Sequence, residues 1–542
     1  MEQFQSSRIA FPAEDAAIFK NSPGRYPQPL GFLFEKVLSW SPTGAPSPLK
    51  IACDDRVWGA RLRDPRLSSS VQLQGALMKR YFQDCTSEIQ NWSTSTFANL
   101  VKTMTIRYVP NEHPFLRKVV LNLPGNIKLK GLLALKGDLK RRPMVIIRPG
   151  IFANIMDFIP ERAWMIMLFE QSPFNVLLVE NMTGGDFIQN NSRVSFGGYD
   201  EGLQNIVISR WLSDPVEPIS KIVSSVHLFG ISLGGHGTLF ASLLNKFNSS
   251  SDRSLINSFT ALCPVVDLQA SMQAITDGGT MSTLVDLWSR ERLDGIEERL
   301  PSVYPHARFA FLKNATSEIA RTYQGGLSYN SSITLPAGMK DGSNFWELND
   351  FWSRYKDVQE PVLIFATSKD PAVPFSLNSQ KLVNKEIKVD SKNIRVIELP
   401  QGVHCTLAVP YDWHTLATLF QSYILSHAPE VLMEERKLDI DLYDEEWKDF
   451  AEKGATAHFS VSEPSSKASF VTVEVKLTNS QGQKKTMNLS LPLSQFDFRF
   501  LNEELSASEK KMIVRWVNQN LHVSLEQKKQ GPSLKAQWSV VK

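Results

Sequence analysis

An α/β architecture, a mostly parallel sheet with flanking helices, is what this sequence predicts, and three observations predict it. Short apolar runs recur at Met144-Val145-Ile146-Ile147, Val176-Leu177-Leu178-Val179, Val226-His227-Leu228-Phe229, Phe259-Thr260-Ala261-Leu262, Val362-Leu363-Ile364-Phe365 and Ile394-Arg395-Val396-Ile397. Longer amphipathic stretches alternate with them, near 156–171, 200–213, 234–246, 375–385 and 411–426. Runs without polar alternation suit strands covered on both faces, and the alternation suits helical crossovers between parallel strands. The third observation is local: the run ending at Phe229 leads directly into Gly230-Ile231-Ser232-Leu233-Gly234 and then into a helical stretch containing Leu239, Phe240, Leu243 and Leu244.

In chain order, residues 1–110 form an N-terminal extension punctuated by Pro23, Pro27, Pro29, Pro42, Pro46 and Pro48, to which no role can be assigned. Two strand-like segments, Arg117 to Leu123 and Ile127 to Leu135, flank the turn-forming Pro124-Gly125-Asn126 and read as an antiparallel hairpin. The catalytic domain is expected over 111–429. Its rhythm breaks at about 268–357, a stretch carrying Trp288, Trp346 and Trp352, which reads as a lid inserted over the sheet's catalytic edge. Residues 430–542 read as a small C-terminal α+β domain. Alternation through Val471, Val473, Val475 and Leu477, a turn at Asn479-Ser480-Gln481-Gly482, and Met487, Leu489, Leu491 and Leu493 make a hairpin. Ser506 and Glu509 have capping-box spacing ahead of a helix bearing Met512, Ile513, Trp516 and Val517.

The totals bound the function. A chain of 542 residues has room for two to four structural units, and its net charge of +3 gives no electrostatic argument for nucleic acid or an anionic membrane. No stretch approaches the roughly 18 apolar residues of a membrane span, and the N-terminus lacks a basic region followed by an apolar one. Cys53, Cys85, Cys263 and Cys405 are far apart without paired spacing, so free thiols in a reducing, cytoplasmic compartment are expected. The nine histidines show no ligand spacing, and neither a P-loop nor a full G-x-G-x-x-G is present, so neither metal nor cofactor is expected.

A G-x-S-x-G match is weak alone, and the strand before it and the helix after it give it meaning: a tight elbow exposes the serine hydroxyl at the start of a helix. A serine hydroxyl needs a base, and the base an orienting acid. Asp370, in Ser368-Lys369-Asp370-Pro371-Ala372-Val373-Pro374, follows one strand, and His404, in Gln401-Gly402-Val403-His404, follows the next. Ser232, Asp370 and His404 are therefore the expected nucleophile, acid and base. His236 is a weaker rival as base because the first helical turn should aim it away from Ser232, and Asp267 is a rival acid for which a structural role is favoured. Two backbone N–H groups should receive the oxyanion, that of Leu233 and one from Arg148-Pro149-Gly150-Ile151-Phe152, with Ile151 the first choice and Phe152 the alternative.

With the elbow, the D-P-x-V-P setting of Asp370 and the late G-x-H in place, residues from about 115 to 427 resemble the α/β-hydrolase superfamily, and within it the YheT-like group. That resemblance implies an α/β-hydrolase fold and a serine esterase acting on carboxylic esters through Ser232, Asp370 and His404. Pro149 departs from it, standing where the group has the histidine of an H-G pair. The expected function is thus hydrolysis of a small-molecule ester through an acyl-enzyme. An acyltransferase on the same fold, or a non-catalytic binding protein that retains it, are the alternatives, with the C-terminal domain a candidate surface for a protein partner.

Overall fold

The computed structural model describes residues 2–13, 16–20, 53–64, 70–90, 115–136, 140–155, 159–250, 254–277, 279–293, 297, 299–302, 310–323, 333–336, 339, 344–383, 392–405, 407, 410–428, 433–441, 455–462, 470–492, 514, 522–528 and 531–541. The chain divides into two compact units, one of residues 1–110, 116–135 and 141–429, the other of residues 111–115, 136–140 and 430–542.

In the first unit, the described residues form a nine-stranded sheet from β1 (Ile9–Ala10), β2 (Leu116–Leu123), β3 (Ile127–Ala134), β4 (Arg142–Arg148), β5 (Asn175–Val179), β6 (Val223–Ile231), β7 (Ser258–Leu262), β8 (Val362–Thr367) and β9 (Ile394–Leu399). Their order across the sheet is β1-β2-β3-β5-β4-β6-β7-β8-β9. The first three are antiparallel to their neighbours, and the remaining strands run parallel. This strand order with flanking helices is the α/β-hydrolase fold. It contains the predicted hairpin, which closes through Leu123 opposite Ile127.

Every residue of β4, β5, β7 and β8 is buried, which explains why their sequences lack polar alternation. Side chains of successive residues point to opposite faces, so the two faces carry different cores. Met144, Ile146, Leu228, Ala261 and Ile364 share one core with Tyr199, Leu203 and Ile206 of the helix Gly198–Ser213 and Leu239, Phe240 and Leu243 of the helix Leu233–Asn248. On the other face aromatic rings interlock: Phe229 lies 5.2 Å from Trp164 of the helix Ile159–Glu170 and 5.2 Å from Phe420 of the helix Trp413–Ser426. Phe365 continues the array, 5.0 Å from Phe420 and 6.3 Å from Phe82. Burying each such ring removes enough apolar area from water to contribute roughly 2–3 kcal/mol before conformational entropy is counted.

Phe82 belongs to the helix Val71–Ile89, and Ile9 pairs with Leu121 at the sheet edge, so described parts of the N-terminal 110 residues complete this unit's layers. The expectation of four free thiols is corrected there. Cys53 and Cys85 form a disulfide, while Cys263 and Cys405 are free and buried. Spacing could not reveal the pair because packing brings together Cys85 of the helix Val71–Ile89 and Cys53, just ahead of the helix Asp55–Leu62, from 32 residues apart. The bond also removes the thiol argument for a reducing compartment. A second correction concerns the helix expected over 375–385: its described part, 375–383, makes two short 3-10 turns, Phe375–Leu377 and Ser379–Leu382, instead. Asn378 interrupts them: its side-chain oxygen accepts from the N–H groups of Val266 and Asp267 and from the Ser271 hydroxyl, tying this segment to the end of β7.

The interval 268–357 carries helices Leu268–Thr276, Gly279–Leu293, Phe311–Thr322 and Phe345–Leu348. In the second unit, β10 (Met433–Asp441), β15 (Gly531–Val541) and β14 (His522–Lys528) form one antiparallel sheet, and β11 (Thr456–Val461), β12 (Phe470–Thr478) and β13 (Lys484–Pro492) another. Val471, Val473, Val475 and Leu477 are buried along one face of β12, and the Asn479 side chain accepts from the N–H groups of Gln481 and Gln483 to form the turn. The helix expected after Ser506 lies, apart from Val514, outside the described residues.

Candidate active site

The chain passes from β4 to β5 on one side and then returns to place β6 on the other, so strand order reverses between β4 and β6. A crevice opens at the carboxyl ends of strands at such a reversal. Arg148 ends β4 directly opposite Gly230 of β6, so the 149–152 loop and the serine elbow emerge side by side.

Ser232 has φ 56° and ψ −118°, outside both the helical and extended regions, and caps the helix Leu233–Asn248. A Cβ on Gly230 would come within 2.3 Å of the Gly234 carbonyl oxygen, and one on Gly234 within 2.3 and 2.4 Å of the Arg148 and Pro149 carbonyl oxygens. The two glycines therefore let the elbow close on itself and on the neighbouring loop, while the Ser232 N–H donates to the Leu262 carbonyl of β7 at 2.9 Å.

The structure brings Ser232, His404 and Asp370 into one hydrogen-bonded line. With the proton on Nδ1, His404 donates to Asp370 Oδ2 at 2.8 Å, and the Ser232 hydroxyl donates to His404 Nε2 at 2.8 Å. The other Asp370 oxygen accepts the N–H groups of Ala372 and Val373 at 2.9 and 2.8 Å, which satisfies a buried carboxylate and fixes its rotamer. The loop carrying His404 is tied down on both sides. Gln401 N–H donates to the Tyr411 hydroxyl, the Thr367 hydroxyl to the Gly402 carbonyl, and Cys405 N–H to Cys263 Sγ.

The rivals lie elsewhere. His236 is fully buried, has Nδ1 2.8 Å from the Val265 carbonyl oxygen, and is pushed by burial down to about 4, which keeps it neutral at pH 7. Asp267 caps the helix Leu268–Thr276 by accepting Ala270 N–H and pairs with Lys381 at 2.6 Å. Of the two loop residues considered as N–H donors, Phe152 is committed to the Thr183 hydroxyl oxygen at 2.7 Å. Ile151 and Leu233 line the space in front of Ser232.

That space is a cavity of about 150 Å³. Ser232, His404, Gly150 and Ile151 line one side, and Phe196, Met272, Trp288, Leu312 and Val373 supply an apolar wall. Met272, Trp288 and Leu312 come from three helices of the 268–357 insertion, and Phe152 packs edge-on against Trp288 at 5.2 Å.

Behind the 149–152 loop lies a polar group that the linear reading missed. Arg148, Asn181, Thr183 and Glu201 are all buried. Arg148 donates to Gln204 at 2.8 Å and its Nε lies 3.9 Å from Glu201. Burial pushes the Glu201 carboxyl up to about 7, against the opposing pull of Arg148 and the Asn181 hydrogen bond. The one hint in the sequence is Arg148, a charged residue directly after the apolar run Met144 to Ile147.

Among the described residues, no group of three or more His, Cys, Asp or Glu could hold a metal ion, and no helix is long and apolar enough to cross a membrane. No protein-family model and no curated protein matches the chain. Solved structures similar to it include an acylaminoacyl peptidase from Pyrococcus horikoshii, with 13% identity over 59% of this chain and a TM-score of 0.36. This chain spans 43% of that peptidase's length. Est1E from Butyrivibrio proteoclasticus, solved with ferulic acid, aligns at 15% identity and a TM-score of 0.34 over 57% of this chain and 99% of its own. An esterase from Pyrococcus furiosus aligns at 14% identity and a TM-score of 0.34 over 56% and 90%. Likeness this distant decides neither activity nor substrate.

Proposed function

We propose that this chain is a serine hydrolase that cleaves carboxylic esters through an acyl-enzyme, with Ser232 as nucleophile, His404 as general base and Asp370 as its orienting acid. The observation that carries the reading is the line Ser232–His404–Asp370, with 2.8 Å at each link, opening onto an apolar cavity. His404 takes the Ser232 proton as the oxygen attacks the ester carbonyl, and Asp370 stabilises the imidazolium. His404 then protonates the leaving alkoxide. Water, activated by the same imidazole, releases the acid and restores Ser232. The N–H groups of Ile151 and Leu233 receive the oxyanion of both tetrahedral intermediates.

The insertion 268–357 acts in this reading as a lid whose apolar side chains hold the acyl or alcohol group and keep bulk water from the intermediate. The D-P-x-V-P setting of Asp370 and the G-x-H of His404 support placement in the YheT-like group. A panel of p-nitrophenyl esters tests the activity. Wild type is expected to turn over apolar acyl esters and to be labelled at Ser232 by a fluorophosphonate, and Ser232→Ala to lose about 10⁴-fold or more in kcat. Turnover retained in folded Ser232→Ala overturns the assignment.

A further inference from the structure

The backbone turn at 150–153 closes on itself through a single long bond, Ala153 N–H to the Gly150 carbonyl at 3.4 Å, and leans on its surroundings for the rest. Phe152 holds φ at 60°, a left-handed conformation that an aromatic residue rarely adopts, so the surroundings must hold it there. Two hydrogen bonds grip the loop on either side of the Gly150–Ile151 peptide. Phe152 N–H donates to Thr183 Oγ1 at 2.7 Å, and the Pro149 carbonyl accepts from Asn181 Nδ2 at 3.2 Å.

Donor and acceptor roles in this group follow from one another. Asn181 Nδ2 faces two acceptors, the Pro149 carbonyl and Glu201 Oε1 at 2.5 Å, so the amide nitrogen must be on that side. Its Oδ1 therefore faces Thr183, accepting the Thr183 N–H at 2.9 Å and the hydroxyl at 2.6 Å. The single Thr183 hydroxyl proton is spent on Asn181, which leaves Oγ1 only as an acceptor, the role Phe152 N–H requires. Asn181 and Thr183 are completely buried, so no bulk water can replace a lost partner.

We propose that Thr183, oriented by Asn181 and Glu201, is a positioning residue that fixes the 149–152 turn so that the Ile151 N–H points at the developing oxyanion. The inference rests on the ester-hydrolase reading above. Thr183 touches no reacting atom. Thr183→Val keeps shape and removes the acceptor, while Thr183→Ser keeps the acceptor.

The test is steady-state hydrolysis of p-nitrophenyl esters by full-length protein, normalised to sites titrated with a fluorophosphonate. Thr183→Val is expected to lose about 100-fold in kcat with KM changed less than threefold, and Thr183→Ser to stay within about fivefold of wild type. Amide hydrogen exchange should quicken at Phe152 in Thr183→Val while β4 stays protected. If Thr183→Val folds poorly, Thr183→Ala carries the same kinetic expectation. A valine or alanine variant with near wild-type kcat per titrated site overturns the positioning role, as does a loss that Thr183→Ser shares. A wild type that neither hydrolyses esters nor takes up the probe overturns the hydrolase reading instead, and this inference with it.

Discussion

Adding one methyl group at Gly234 tests how tightly the elbow and the 149–152 loop are fitted. A Cβ there would stand 2.3 Å from the Arg148 carbonyl oxygen and 2.4 Å from that of Pro149, where ordinary contact begins at 3.4 Å. The shortfalls are about 1 Å in each case, and both neighbours are backbone, which cannot rotate aside. Overpacking of this kind costs about 3 kcal/mol at the upper end of its usual range. Gly234 is also the second residue of a helix, where alanine is favoured over glycine by at most the roughly 1 kcal/mol of a helix interior. Gly234→Ala should therefore be destabilised by about 2 kcal/mol, whereas helix propensity alone gives the opposite sign. Relief by shifting the loop about 1 Å also moves the Ile151 N–H, and a displacement of that size costs about 100-fold in rate. Urea denaturation and ester hydrolysis per titrated Ser232 measure the two effects. A Gly234→Ala protein as stable as wild type, with activity within threefold of it, would show that the elbow and the loop are not in tight contact.

Two further outcomes are expected. Denatured but unreduced protein should show two thiols towards a thiol reagent and four after reduction, because Cys53 and Cys85 are paired; four without reduction would remove the disulfide. Burial raises Glu201 from its ordinary 4.5 to about 7, so between these values the folded state holds a proton that the unfolded state has released. Glu201's contribution is thus fully present below pH 4.5 and declines as pH rises to 7, by on the order of 3 kcal/mol. Glu201→Gln should gain stability relative to wild type by that amount across this window in urea titrations, and parallel pH curves for the two proteins would exclude the buried titration.

Much of the fold was legible before any tertiary contact was known. The runs at 144–147, 176–179, 226–229, 259–262, 362–365 and 394–397 all lie within strands; β4, β5, β7 and β8 are buried on both faces and so are apolar without alternation, while β9 at the sheet edge keeps Arg395 half-buried between Ile394 and Val396. The elbow was legible because its strand, turn and helix are contiguous. Asp370 and His404 could be singled out because each stands in the loop after a strand, where this topology gathers side chains at one sheet edge. The 375–385 segment misled because its apolar spacing suits a helix, whereas Asn378 is held by partners more than 100 residues away.

Features that depend on neighbours along the chain are set locally: strand and helix periods, the turn chemistry of 124–126 and 479–482, and a serine at a strand-to-helix elbow. Tertiary structure alone decided what depends on distance through space. Cys53 meets Cys85 only once the helix Val71–Ile89 packs beside the segment ahead of Asp55, and His236 and Asp267 are seen to have partners of their own only once Val265 and Lys381 reach them. The group Arg148–Asn181–Thr183–Glu201 is assembled from the ends of β4 and β5 and from a helix beyond them, with no spacing to betray it. The physical reason is that a buried polar side chain is committed by whichever partner desolvation leaves within reach, and the sheet's connections, not the residues on either side, choose that partner.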